Sequence, residues 1–186
     1  MKKLSFAIVA FFSVCSIFAQ SNDANQNYPK ALVNYDDYKG LIAEVDEHRT
    51  ERLIDFNTFL KMSKEENVVI LDTRSTFRYN LKHIEGAVHL SFTDFTQQAL
   101  QALIPDPKTK ILIYCNNNFE GDQVNFASKV AGSNSKAPAH TQPLTLALNI
   151  PTYVNLYGYG YRNVYELDEL VNINDPRLKL EGVGVR

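Results

Sequence analysis

The chain has 186 residues, enough for one domain with a sizeable core and too few for two. Apolar residues make up 45% and charged residues 22%, which excludes a wholly disordered, collagenous or coiled-coil chain. Nineteen Lys and Arg against 21 Asp and Glu leave a formal charge of -2, without the basic excess of a nucleic-acid binder, so DNA and RNA are not expected partners.

Lys2 and Lys3 precede an apolar run from Leu4 to Phe18, and Ala19 follows, the order of a cleaved secretory signal peptide over residues 1–19. The run falls short of the roughly 20 residues of a spanning helix and contains Ser5, Ser13 and Ser16. A retained anchor is therefore the weaker alternative, and no membrane span is expected after processing. Val14 is too large before Cys15 for a lipoprotein processing site. The expected location is periplasmic or secreted. Loss of Lys2 and Lys3 takes the formal charge from -2 to -4, and loss of Cys15 leaves Cys115 as the one thiol of the processed chain. No internal disulfide can then form, and a lone thiol in an oxidising compartment is either a buried apolar filler or a reactive group.

Residues 20–52 read as a leader and N-terminal extension: Ser21 to Lys30 is polar and flexible in composition. From Ala31 to Arg52 the spacing of Leu32, Tyr35, Tyr38, Leu41, Ile42 and Val45 suits an amphipathic helix or short extended pieces, and the pattern leaves both open. Asp55 is placed to cap a helix from Phe56 to about Lys64. Val68 to Leu71 and Ile111 to Tyr114 are continuous apolar runs, the mark of strands buried on both faces of a parallel sheet. Between them the sequence predicts a short segment around Tyr79, a strand from Ala87 to Leu90, and a helix from about Asp94 to Leu103 with Thr93 as its cap. A polar stretch runs from Cys115 to His140. An apolar segment from Leu144 to Leu156, interrupted by Pro151, and a last strand from Asn163 to Leu167 follow. Strands alternating with helices give an α/β domain with a mainly parallel central sheet flanked by helices, over residues 53–175, and a C-terminal tail over 176–186.

In such a sheet the functional edge lies at the carboxyl ends of the strands. Two loops leave it: Asp72-Thr73-Arg74, and Cys115 with Asn116, Asn117, Asn118, Phe119, Glu120, Gly121 and Asp122. A cysteine directly after a buried strand has the N–H groups of the following turn close to its sulfur, an arrangement that stabilises a thiolate, and Asn and Gly suit a tight loop. Asp72 and Arg74 are expected to tie the first loop together, and His83 to order the turn before Gly86. His48, His89 and His140 lack the mutual spacing of a metal site, so neither metal nor cofactor is expected.

Four ordered segments resemble the rhodanese-like domains: Ile70 to Arg74, His83 to Val88, Ile111 to Cys115, and Gly160 to Leu167. The resemblance spans roughly Leu53 to Leu170 and implies the rhodanese-like fold. It also implies transfer of a sulfane sulfur through a persulfide on Cys115, with Asn116 to Gly121 as the substrate-binding loop. The implied partners are a small sulfane-sulfur donor and a thiol acceptor, with a protein partner as a further possibility. This chain departs from the family pattern where a loop cation often stands, with Glu120 and Gly121 in that position. Residues 123–142 resemble an insertion beside the site, in the place of a lid. The main expectation is an exported sulfurtransferase or persulfide carrier, with thiosulfate a poor donor for want of the cation unless Arg74 or Lys136 supplies it. The alternative is a catalytically weak module of the same fold that binds a protein partner or small ligand. Phosphatase chemistry is disfavoured because the loop lacks an Arg.

Overall fold

The structure, a computed structural model, describes residues 28–131 and 144–185. The signal peptide with its cleavage point, and most of the 123–142 insertion with Lys136 and His140, lie outside the described residues. Residues 28–33 belong to a separate N-terminal unit and are exposed, with neither helix nor strand; everything below lies in the unit Asn34–Arg186.

In chain order this unit forms α1 (Tyr35–Thr50), β1 (Leu53–Ile54), α2 (Phe56–Met62), β2 (Val68–Asp72), α3 (Thr76–Leu81), β3 (His83–Ile84), β4 (Val88–His89) and α4 (Gln97–Leu103). It continues with β5 (Lys110–Tyr114), β6 (Phe119–Glu120), β7 (Val130–Ala131), β8 (Leu144–Thr145), α5 (Asn149–Gly158), β9 (Val164–Leu167), β10 (Val171–Asn172) and β11 (Leu180–Glu181). Five strands make a parallel sheet in the order β1-β9-β5-β2-β4. The two continuous apolar runs are its centre, β2 and β5, paired so that Ile70 faces Leu112 and Asp72 faces Tyr114. Both faces of these strands are covered because side chains alternate. Ile111 and Ile113 pack with Leu100 of α4 and with Tyr153, Val154 and Leu156 of α5. Leu112 and Tyr114 pack with Phe56 and Phe59 of α2, Phe119 and Phe126.

Local chemistry fixes the element ends. Asp55 caps α2 as expected, accepting the Thr58 N–H at 2.6 Å. The open stretch from Ala31 to Arg52 resolves as α1, begun by Asn34, whose side chain accepts the Asp36 and Asp37 N–H groups at 3.1 and 3.3 Å. The helix expected from Asp94 under a Thr93 cap starts later: Phe92–Asp94 is a single 3-10 turn, Phe95 is drawn into the core, and Thr96 caps α4 by accepting the Ala99 N–H. The apolar stretch from Leu144 divides into β8 and α5, with Pro151 in the first turn of α5, where a missing N–H costs nothing. The strand ending at Leu167 is not the last: β10 pairs parallel with β6, and β11 pairs antiparallel with β3. Residues expected as a tail are thus held in the fold, with Leu178 buried and Glu181 accepting the Gly86 N–H at 2.9 Å. Among the described residues no helix is long and apolar enough to cross a membrane.

Candidate active site

Cys115 directly follows β5 and is 1% exposed. The residues after it form a tight turn. Asn116–Asn118 closes as a 3-10 turn, which uses the Asn118 N–H on the Cys115 carbonyl at 3.1 Å and the Phe119 N–H on the Asn116 carbonyl. The Asn118 N–H also faces the Cys115 sulfur. The Asn118 side chain anchors the turn: its Oδ1 accepts the Cys115 N–H at 2.8 Å, and its Nδ2 donates to the carbonyls of Leu167 at 2.7 Å and Glu169 at 3.3 Å. Asn117 is bound by both amide groups to the backbone of Lys129.

Beyond the turn the chain leaves the site. Phe119 is buried against Phe126 and Tyr114, Glu120 is exposed at the end of β6, and Gly121 turns the chain with φ of +91°, a conformation that favours glycine. Asp122 is neutralised by Lys82 at 2.8 Å and accepts the Asn125 side chain. Burial opposes ionisation of its carboxyl, but the hydrogen bonds from Lys82 and Asn125 outweigh it and hold the pKa down to about 2. The two acidic residues of this stretch are therefore exposed in one case and paired in the other. Lys82 largely cancels the charge of Asp122 toward an anion at the loop.

The first loop is tied as expected. Arg74, 2% exposed, grips Asp72 through Nε at 3.0 Å and Nη2 at 2.7 Å, and reaches the carbonyl of Lys82 at 2.7 Å. Its Nη1 donates to Asn116 Oδ1 at 3.2 Å, so this loop holds the residue next to Cys115. The guanidinium stacks 4.6 Å from the Phe126 ring centre and 5.4 Å from that of Tyr114. The Tyr114 hydroxyl donates to Asp72 and accepts the Ile84 N–H at 3.1 Å. Burial, with the Asp72 charge, pushes the Tyr114 hydroxyl well above its ordinary pKa, and Asp72 raises that of Arg74 despite burial. Tyr114 reads in the sequence only as the end of a strand; its hydroxyl completes this network. His83 is spent within its own turn, with Nδ1 on the Tyr79 carbonyl at 2.6 Å, Nε2 on Glu181 at 3.1 Å, and its ring stacked on Tyr79.

Beside Asn116 opens a cavity of about 270 Å³ lined by Arg74, Ser75, Arg78, Asn116, Ser128 and Lys129. Arg74 is committed to Asp72, but Arg78 binds the Val124 carbonyl and lies over the Phe77 ring, and neither Arg78 nor Lys129 has a carboxylate partner among the described residues. Cations thus stand at the loop from α3 and from the segment before β7. Arg78 carries no signal of its own in the sequence.

A family model for rhodanese-like domains matches residues 55–169, more than half of the chain. The chain belongs to the rhodanese-like domain family. Its strand order and parallel sheet are those of a rhodanese fold. Solved structures similar to this rhodanese-like domain include the BH2092 protein of Bacillus halodurans, at 16% identity over 76% of this chain and 87% of that one, with a TM-score of 0.45. A rhodanese with anions from E. coli is 14% identical over 62% of this chain and 98% of its own, with a TM-score of 0.37. Thiosulfate sulfurtransferase from Pseudomonas aeruginosa is 18% identical over 72% of this chain and 20% of its own, with a TM-score of 0.39. No curated protein matches the sequence.

The family match omits α1, β1, β10 and β11, although all four pack onto the rhodanese-like domain. Val45 of α1 is buried against the sheet, and Arg49 binds Glu166 of β9 through two hydrogen bonds at 2.6 and 2.7 Å. Among the described residues no group of three or more His, Cys, Asp and Glu is placed to hold a metal ion.

Proposed function

We propose that this rhodanese-like domain is an exported sulfurtransferase or persulfide carrier that holds a sulfane sulfur on Cys115. The observation that carries the reading is the position of Cys115, the free cysteine at the carboxyl end of the central strand β5, whose neighbour Asn116 lines a cavity with Arg74, Arg78 and Lys129. The chemistry is nucleophilic displacement at sulfur. Cys115 gives up its proton, and its thiolate attacks the outer sulfur of the donor. A sulfur–sulfur bond forms, the bond between that sulfur and the rest of the donor breaks, and the electron pair departs with the remainder, which is sulfite when the donor is thiosulfate. A thiolate acceptor then attacks the outer sulfur of the persulfide and restores the Cys115 thiolate.

Arg78 and Lys129 support an anionic donor, which revises the expectation of poor thiosulfate use drawn from the loop alone. At 1% exposure Cys115 is closed to solvent, so donor access requires local opening around it. Loading is then slower than attack by a free thiol of the same basicity. The export half of the proposal is supported by the order of Lys2, Lys3, the apolar run and Ala19.

Sulfite release from thiosulfate in the presence of a thiol acceptor tests the donor reading. The Arg78→Ala/Lys129→Ala double variant should lose about 30-fold or more in kcat/KM, since each charged contact is a transition-state interaction of roughly 1 to 3 kcal/mol. Thiosulfate turnover unaffected by the double substitution would remove the cation-lined cavity from the mechanism.

A further inference from the structure

A cavity of about 530 Å³ opens where α2 meets β2, β3 and the segment before β11, and it shares no residue with the Cys115 loop or with the cation-lined cavity beside it. Phe56, Phe59 and Leu60 of α2, Ile70 of β2, Ile84 of β3 and Leu178 give it a mainly apolar wall, and all six belong to or pack against one core cluster. Protein interiors are packed to crystal-like density, so an apolar gap of this size leaves dispersion contacts unmade along its wall. Its volume falls within the range of small-molecule sites. Lys64, Glu85, Arg177 and Lys179 line it as well and are exposed, so its charged end meets solvent.

The charges at that end do not cancel. Arg177 is held by Asp175 in a fork, with Nε on Oδ1 at 2.9 Å and Nη2 on Oδ2 at 2.6 Å, and its charge is spent there. Lys179 donates only to the Pro176 carbonyl, at 3.1 Å. Lys64 and Glu85 make no side-chain hydrogen bond or ion pair among the described residues. Two uncompensated ammonium groups against one uncompensated carboxylate leave a single net positive charge on the wall. The Glu85 N–H donates to the Lys179 carbonyl at 3.0 Å, which fixes the segment carrying Leu178 and Lys179 against the turn after β3.

We propose that this cavity binds a small amphipathic monoanion, a free carboxylate on a hydrocarbon body of the octanoate kind. The body lies against Phe59, Leu60, Ile70 and Leu178, and the head lies toward Lys64 and Lys179. The apolar wall requires a body without polar atoms, and the single net charge requires one negative charge at its end. Glu85 disfavours a dianion. An alkylammonium meets Glu85 but is repelled by two lysines, and a neutral alcohol uses the wall without the charge.

The test is a titration of the isotopically labelled full chain near neutral pH with octanoate, acetate, 1-octanol and n-octylamine, each below its aggregation limit, read by NMR at the methyl groups of Leu60, Ile70, Ile84 and Leu178. Octanoate should give saturable shifts at these four residues, 1-octanol weaker binding, and acetate and octylamine none. Lys64→Ala/Lys179→Ala, at exposed positions, should weaken octanoate binding about fivefold, the loss of two partly screened ion contacts, and Glu85→Gln should tighten it about twofold. Leu60→Trp, which fills the cavity from a half-buried position, should abolish the response, with its melting temperature measured alongside. No saturable response to octanoate, binding of 1-octanol or octylamine as tight as that of octanoate, or unchanged affinity in the double lysine variant would overturn the proposal. Cys115→Ser should bind octanoate as the wild type does, so failure of the sulfur chemistry leaves this site standing, and the reverse also holds.

Discussion

Arg74 shows how a buried charge can be structural and still serve a reactive neighbour. Its guanidinium is enclosed by Asp72, the Lys82 carbonyl, Asn116 and the rings of Phe126 and Tyr114, so every polar edge that is buried has a partner. Removing one member leaves the other buried and unpaired. Arg74→Ala should cost about 3 to 5 kcal/mol in chemical denaturation, and an Arg74→Met/Asp72→Leu pair should recover a large part of that loss. Asp122 gives a pH signature. Its folded pKa, about 2, lies below the ordinary 3.8, so its contribution is present above pH 3.8 and is lost as the pH falls through 2. Stability measured from pH 5 down to pH 2 should therefore fall more steeply in the wild type than in Asp122→Asn, and parallel curves would show that the Lys82 pairing contributes nothing.

At the level of elements, α1 lies outside the family match yet is bound into the fold by Val45, by the Arg49 pair with Glu166, and by the hydrogen bond between His48 and the Tyr153 hydroxyl at 2.9 Å. Glu166 is 3% exposed, so Arg49→Ala leaves its carboxylate buried without a counter-charge. A loss of about 3 kcal/mol is expected in thermal or denaturant unfolding; no loss would mark α1 as an appendage. This helix was also the least legible element. Val45 is its one buried residue, and most of its apolar side chains stay at least partly exposed, so its periodicity is weak. The central strands β2 and β5 were legible because burial on both faces demands continuous apolar runs. The start of α4 was not, because Thr93 and Thr96 are equivalent caps in sequence and only the burial of Phe95 separates them. Two-residue strands such as β6, β10 and β11 carry no periodicity at all. Within the site, Cys115, Asp72 and Arg74 are marked by their place after strands. Arg78 and Lys129 reach it from other segments and have no local signature.

Across the molecule, the chain is mildly acidic, but its charges are sorted around one turn. The Asn116 side of that turn faces Arg74, Arg78 and Lys129, while the Asn117 and Asn118 side faces Glu166, Asp168 and Glu169 together with Arg49, which is paired to Glu166. Cys115 sits at the root of the turn, almost fully enclosed. On the proposed chemistry, an anionic sulfur donor would approach from the Asn116 side of this turn. The central claim is that Cys115 receives it. Intact-mass measurement of the purified protein after exposure to thiosulfate tests this most directly. The account predicts a mass gain of one sulfur atom, reversed by a thiol reductant and absent from Cys115→Ser. No gain with thiosulfate, mercaptopyruvate or polysulfide, or an equal gain in Cys115→Ser, would contradict it.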